Sequence, residues 1–246
     1  MKYPETCIIY GANSCIAVEF AKMIQSEVTN LVLFYHKKTD NISSLFNKKN
    51  VTAFSSDICN YEDFITKLMS LPNSKDISAI YFSTIRSIDS KPISNVDLFL
   101  ANKIINVNIM GAIHFLKGIF LINNRINSTR IVLMGSNVSR TGLPNGAVYS
   151  ASKAALANLV RSVSIEEGKN NTLINTVSPG PVETNNKDFS KKYSQFRQNY
   201  FDNYKKLSSL NKLAKTVDIC SIIKYLTSFE NNHITGEEFF ITGGAL

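Results

Sequence analysis

Short runs of β-branched and apolar residues recur along this chain, each followed by a longer stretch with helical periodicity. Thr6–Tyr10, Asn30–Tyr35, Val51–Ser55, Ile77–Ser83, Thr129–Met134, Leu173–Val177 and Glu238–Ile241 read as strands, most of them apolar on both faces. Between them Tyr61–Leu71, Asp97–Asn123, Tyr149–Gly168 and Thr216–Phe229 read as helices, and Val18, Ala21, Met23 and Ile24 mark another after the first strand. Strands that alternate with helices pair in parallel, because each connection is a crossover rather than a hairpin. The expectation is an α/β fold: a Rossmann-type, doubly wound parallel sheet of about seven strands with helices on both faces.

A chain of 246 residues, 44% apolar and 19% charged, suits a single such domain over residues 1–246. Glu183 to Leu213 breaks the alternation and is rich in Lys, Asn, Tyr and Phe, so residues 184–213 are expected to form a substrate lid. Its Tyr193, Phe196, Tyr200, Phe201 and Tyr204 suit an acyl or polyketide chain, or equally a helix face packed on the core. Four scattered cysteines and three histidines show no metal-ligand spacing, so free thiols and no metal are expected. No apolar run approaches the ~18 residues that span a bilayer, which makes a soluble cytoplasmic protein without membrane contact the default. The net charge of +8 is not gathered into a block with nucleic-acid-reading motifs, and an anionic cofactor or acidic carrier protein would use it as well.

The first strand runs straight into Gly11-Ala12-Asn13-Ser14-Cys15-Ile16-Ala17 and then a helix, a unit that aims backbone N–H groups at a phosphate. At the end of the second strand, Tyr35-His36-Lys37-Lys38 supplies no carboxylate for a ribose hydroxyl, which favours NADPH over NADH. Asp57, after the third strand, could hold an adenine amino group or merely cap a helix. Farther on, Tyr149 and Lys153 stand one helical turn apart, so phenol and ammonium share a face. A cation beside a tyrosine favours the phenolate and lets the group exchange a proton with a carbonyl oxygen near neutral pH. Among ten tyrosines and many lysines, one such pair arises by chance, so its meaning rests on ordered partners.

Those partners are present: Gly135-Ser136 closes the fifth strand thirteen residues before Tyr149, N-T-V-S-P-G-P-V-E-T follows from Asn175 to Thr184, and I-T-G-E-E-F-F-I-T-G-G runs from Ile234 to Gly244. Over essentially its full length the chain resembles the short-chain dehydrogenase/reductase family, and most of all its 3-oxoacyl-(acyl-carrier-protein) reductases. The resemblance implies that Tyr149 donates the proton, Lys153 lowers its pKa and bonds the nicotinamide ribose, Ser136 polarises the carbonyl, and Asn108 holds a water in the proton relay. It also implies NADP(H) contacts from Gly11, Asn13, Ser14, Cys15 and Ile16, from His36 and Lys37, from Asp57, Ile58 and Ser83, and from Pro179, Gly180, Val182 and Thr184. Ser139 and Asn106 are the competing candidates for Ser136 and Asn108.

The chain departs from the family where two glycines have become Cys15 and Ala17, each adding a Cβ at a close approach. Phe82-Ser83-Thr84-Ile85 also replaces the usual Asn-Asn-Ala-Gly. Enoyl reductases of the family place their lysine seven residues after the tyrosine, where this chain has Leu156, so the carbonyl-reductase arrangement fits better. The resemblance implies an NADPH-dependent reductase of a small-molecule or carrier-bound acyl ketone. The alternatives are an alcohol or sugar dehydrogenase, or a non-catalytic binding partner of the same fold. Arg125, Arg130 and Lys169 are candidates for a basic carrier-docking patch. A homodimer or homotetramer is implied too, built on the Asp97–Asn123 and Tyr149–Gly168 helices, with Ala151, Ala154, Ala155 and Ala157 permitting close approach.

Overall fold

The computed structural model describes residues 1–85, 91–123, 128–184 and 191–245, and only the backbone of 191–197. Strands are β1 (Thr6–Tyr10), β2 (Asn30–Tyr35), β3 (Val51–Ser55), β4 (Ile77–Tyr81), β5 (Thr129–Met134), β6 (Thr172–Pro179), β7 (Val182–Glu183), β8 (Ala214–Lys215) and β9 (Glu238–Ile241). The helices are α1 (Cys15–Ile24), α2 (Tyr61–Met69), α3 (Leu98–Ile105), α4 (Gly111–Ile122), α5 (Val138–Thr141), α6 (Ala147–Glu167), α7 (Lys191–Leu207) and α8 (Thr216–Thr227). Seven strands form one sheet in the order β3-β2-β1-β4-β5-β6-β9, with every pair parallel. The small parallel pair β7–β8 brackets the insertion that carries α7.

Alternation along the strands divides the core in two. In β1, Cys7 and Ile9 join a cluster with Phe20, Ala21 and Ile24 of α1 and Ile219 and Ile223 of α8. Ile8 and Tyr10 face the opposite cluster, with Phe64 of α2, Phe115 of α4, and Leu156 and Val160 of α6. That second layer is aromatic: Tyr10 stacks on Phe34 at 5.5 Å and meets Phe64 edge-on at 5.3 Å. The strand order reverses between β1 and β4, so the crevice beyond their carboxyl ends is where a sheet of this topology binds ligands.

Helix α3 continues through a π-helical turn, Asn106–Met110, into α4. From Leu98 to Ile122 this helix is long and apolar enough to cross a membrane by length and composition, which corrects the expectation that no stretch approaches that length. Its inner side packs on the sheet through Ala112, Phe115, Leu116 and Ile119. The interruption ends at Gly111, where a Cβ would run into the Tyr81 hydroxyl and come within 2.8 Å of Ile58. Tyr81 donates to the Val107 carbonyl at 2.5 Å, so its phenol occupies the space beside the turn.

Candidate active site

Helix α6 brings Tyr149 and Lys153 to the carboxyl edge of β5. Its inner face is held by Leu156, Val160 and Val163, all buried against the sheet. Lys153 is 1% exposed, and its Nζ donates to the Met134 carbonyl at 2.7 Å. The same Nζ lies 5.8 Å from the centre of the Tyr149 ring. Burial alone pulls the Lys153 pKa down from the ordinary lysine value to about 7. Met134 is two residues before Ser136, which is half-buried in the loop after β5, so amine, phenol and serine loop meet at one strand end.

Asn108 sits in the π-helical turn and is fully buried, whereas Asn106 is exposed. Its Oδ1 accepts from the Ile85 N–H at 2.8 Å and the Thr84 hydroxyl at 3.3 Å. Its Nδ2 donates to the Ile85 carbonyl at 3.1 Å and to Ser152 Oγ at 2.9 Å, while Ser152 donates to the Tyr149 carbonyl at 2.7 Å. The amide is therefore saturated by protein. Ser152 was not singled out from the sequence, although it ties Asn108 to the first turn of α6. Ser139, the rival of Ser136, instead donates to Glu238 at 2.6 Å.

The first loop has the shape that a phosphate cradle needs. Gly11 has φ +81°, and a Cβ there would come within 2.7 Å of the Ser83 nitrogen, so both conformation and space demand glycine. Ser14 caps α1 by accepting from the Ala17 N–H at 3.3 Å, and Cys15 and Ile16 stand half-buried in the first helical turn. Asn13 is held from outside, accepting from the Asn41 N–H at 3.3 Å. Ala17 is fully buried among core residues, so its methyl is absorbed between helix and sheet and does not point at the crevice.

Across the crevice, His36 Nε2 lies 3.7 Å from an Asp57 carboxylate oxygen with both side chains about half exposed, and Lys37 is exposed beside them. Asp57 accepts from the Cys59 N–H at 3.0 Å, and the cap of α2 is Asn60 rather than Asp57. Ile58 is buried, and its carbonyl meets His114 Nδ1 at 2.8 Å. Pro179 ends β6 in the core, and Gly180 donates to the Ile241 carbonyl at 3.0 Å. A Cβ on Gly180 would collide with the Tyr204 phenol. Val182 lies in β7, and Thr184 is half-buried just after it.

One sequence-based expectation is corrected here, and one open alternative is decided for two of the lid aromatics. Arg130 belongs to no docking patch: it is 6% exposed, donates to the Asn231 carbonyl at 3.0 Å, and lies at the amino end of β5, opposite the site. Arg125 lies outside the described residues, and exposed Lys169 follows the far end of α6. In the lid, Tyr204 and Phe201 pack with Leu213 and Ala245, the second of the two uses open to these aromatics. The side chains of Tyr193 and Phe196 lie outside the described residues, as do residues 185–190 of the lid. An open cleft beside Tyr149 is bounded by Ile93, Val96, Leu100, Ile104 and Leu143.

Residues 11–245 match the family model described as Enoyl-(Acyl carrier protein) reductase. A 3-oxoacyl-[acyl-carrier-protein] reductase of Buchnera aphidicola subsp. Schizaphis graminum is 25% identical over 252 aligned residues, covering 98% of this chain and 96% of the relative. Among solved structures, a glucose/ribitol dehydrogenase of the short-chain class from Brucella melitensis superimposes with a TM-score of 0.86 at 24% identity, covering 100% of this chain and 99% of the other. A 3-oxoacyl (acyl-carrier-protein) reductase from Agrobacterium tumefaciens with NADP bound superimposes with a TM-score of 0.83 at 18% identity, covering 98% and 93%. With its sheet order, its nearly full-length family match and these relatives, the chain belongs to the short-chain dehydrogenase/reductase family of oxidoreductases.

Proposed function

We propose that this protein is an NADPH-dependent carbonyl reductase, converting a ketone of the 3-oxoacyl or polyketide thioester type into a secondary alcohol. The observation that carries the reading is the buried Lys153 amine, 5.8 Å from the Tyr149 ring and fixed by the Met134 carbonyl. An amine enclosed in that way has its charge stabilised best by a phenolate or by ligand oxygens beside it. The glycine-dependent loop at Gly11, the capped start of α1 and the basic His36–Lys37 corner fit a dinucleotide carrying a 2′-phosphate. When bound, that dinucleotide supplies the hydride.

The chain's own groups do the rest. Tyr149 gives its phenolic proton to the carbonyl oxygen, and Lys153 stabilises the phenolate left behind. Ser136 donates to the same oxygen and polarises it. Asn108, with Ile85 and Ser152, holds the π-helical turn against α6. Buried Leu156 stands at the enoyl-reductase lysine position, which supports ketone over enoyl reduction. The largely apolar cleft along Ile93, Leu100 and Leu143 suits an acyl or polyketide chain. The namesake activity of the Buchnera and Agrobacterium relatives supports the same substrate class.

The test begins with titration of NADPH and NADH by fluorescence, followed by a reductase screen with free and carrier-bound 3-oxoacyl thioesters, quinones and simple ketones. NADPH is expected to bind more tightly than NADH. Tyr149→Phe is expected to lower kcat by at least about a hundredfold with NADPH affinity nearly unchanged. Absence of sub-millimolar binding of either nucleotide would overturn the reading, and full activity of Tyr149→Phe would remove Tyr149 as the acid.

A further inference from the structure

Glu238 opens β9, the edge strand farthest along the β5-β6-β9 side of the sheet, and its side chain is 9% exposed. A buried carboxylate is costly unless its lone pairs are filled, and an ionised carboxylate can only accept. Both of its oxygens are engaged. Oε1 accepts from Ser139 Oγ at 2.6 Å and from Ser178 Oγ at 2.7 Å. Oε2 faces Arg161 of α6 at 3.4 Å, a half-exposed and correspondingly weaker partner. One carboxylate thus joins β9, the end of β6, the loop after β5, and the helix that carries Tyr149 and Lys153.

The position of the Ser178 hydroxyl is itself tightly specified. Gly135 has no side chain because a Cβ there would overlap Ser178 Oγ and come within 2.7 Å of Thr176. Ser178 therefore fills the space above Gly135 and turns its proton toward Glu238. One residue after Gly135, beyond the end of β5, Ser136 begins the turn whose backbone closes through Ser139 N–H to the Ser136 carbonyl at 3.0 Å. Asn137 N–H donates to the Pro179 carbonyl at 2.9 Å, tying this turn to the end of β6. On the same face of β9 as Glu238, Phe240 lies under the Arg140 guanidinium at 4.3 Å. Two consecutive side chains of α5, Ser139 and Arg140, are therefore gripped by two same-face residues of β9.

We infer that Glu238 is a positioning residue for Ser136: through Ser139 and Ser178 it sets the height of the serine loop relative to α6. The inference rests on the carbonyl-reductase reading, in which Ser136 must lie opposite Tyr149. It also accounts for the division of labour between the two serines, since Ser139 is engaged by Glu238 and Ser136 is left for the carbonyl. Small displacements of a polarising group cost much in rate and little in ground-state binding of a cofactor held elsewhere.

The test uses Glu238→Ala, Glu238→Gln and Ser139→Ala in the full chain, read by steady-state kinetics, NADPH titration and hydrogen–deuterium exchange. Glu238→Ala is expected to lower kcat about tenfold while NADPH affinity stays within about twofold, with faster exchange in residues 136–141 and unchanged exchange in 147–167. Glu238→Gln keeps an acceptor for both hydroxyls and is expected to recover most of that loss. Ser139→Ala is expected to reproduce part of it. An unchanged kcat in Glu238→Ala overturns the inference. So does a parallel fall of kcat, NADPH affinity and protection across the whole chain, which marks a merely structural role. If the wild-type chain reduces no ketone, the functional reading fails, and unchanged exchange at 136–141 in Glu238→Ala then separately overturns the brace.

Discussion

Lys153 places an amine where the surrounding protein offers it one neutral acceptor, the Met134 carbonyl, and no carboxylate bonded to it among the described residues. Its pKa of about 7 lies below that of a lysine in an unfolded chain, ~10.4. Folding therefore expels a proton throughout the window between those values, and the unfolded state holds more protons there. Stability conferred by this site is expected to rise as pH increases from about 7 towards 10, and to be flat below that window. Lys153→Met removes the titration while keeping most of the volume. Urea unfolding of both proteins from pH 6 to 9.5 is expected to show wild type gaining on the variant only above pH 7; a constant difference would mean that the amine stays charged in the folded state. The residue scale also shows what a sequence hides. Tyr149 and Lys153 were legible because helical spacing alone puts them on one face. Depth was not legible: Arg130 reads like any surface cation, yet it is buried beneath Asn231, and Glu238 reads like an ordinary strand-edge charge.

At the scale of elements, the strands were readable because β-branched, two-sided apolar runs have few other uses, and β1, β2, β3, β5 and β9 begin and end at the positions expected. The helix across Asp97–Asn123 was readable as a helix, but its π-helical turn was not, because no propensity distinguishes Asn-Val-Asn-Ile-Met from ordinary helix. What sets the turn is tertiary. The Tyr81 phenol reaches the Val107 carbonyl, Asn108 grips Ile85, and Gly111 lets the helix pass over Tyr81 and Ile58. Gly111→Ala is therefore expected to destabilise the protein by about 1–3 kcal/mol, through overpacking, despite alanine's better helix propensity. Denaturant titration checks the sign, and a stabilised variant would show that Tyr81 moves aside freely. The same distinction explains the degenerate first loop. The residue at 17 can be Ala because it packs into the core beneath α1, whereas Gly11, with φ +81° and Ser83 against it, has no substitute.

For the whole molecule, the sheet order puts Gly11, Asp57, Ser83, Ser136 and Pro179 at the carboxyl ends of five of the six adjacent strands β3-β2-β1-β4-β5-β6, so residues scattered over most of the chain share one edge. The opposite end of the sheet takes Arg130 and Lys169, so those cations do not line the cleft. A second surface is left by the outer sides of α4 and α6. Ile113, Phe120, Leu121 and Leu159 line a shallow depression there, floored by buried Leu116 and Val163, and Leu121 is 56% exposed. Ala151, Ala154 and Ala155 are exposed on α6, while Ala157 is buried within the subunit and is unavailable to a partner. Covering this face with its own copy would remove the exposed apolar stripe, because a two-fold axis presents identical helices to each other. A homodimer or homotetramer through α4 and α6 is therefore the expected state in solution. Light scattering of the wild-type chain is expected to give two or four times the 27.4 kDa subunit mass. Leu121→Arg with Ile113→Arg is expected to shift it towards monomer with an unchanged far-ultraviolet circular dichroism spectrum. A wild-type chain that stays monomeric at tens of micromolar would rule this interface out, and an assembly unaffected by the double substitution would place the contact on another face.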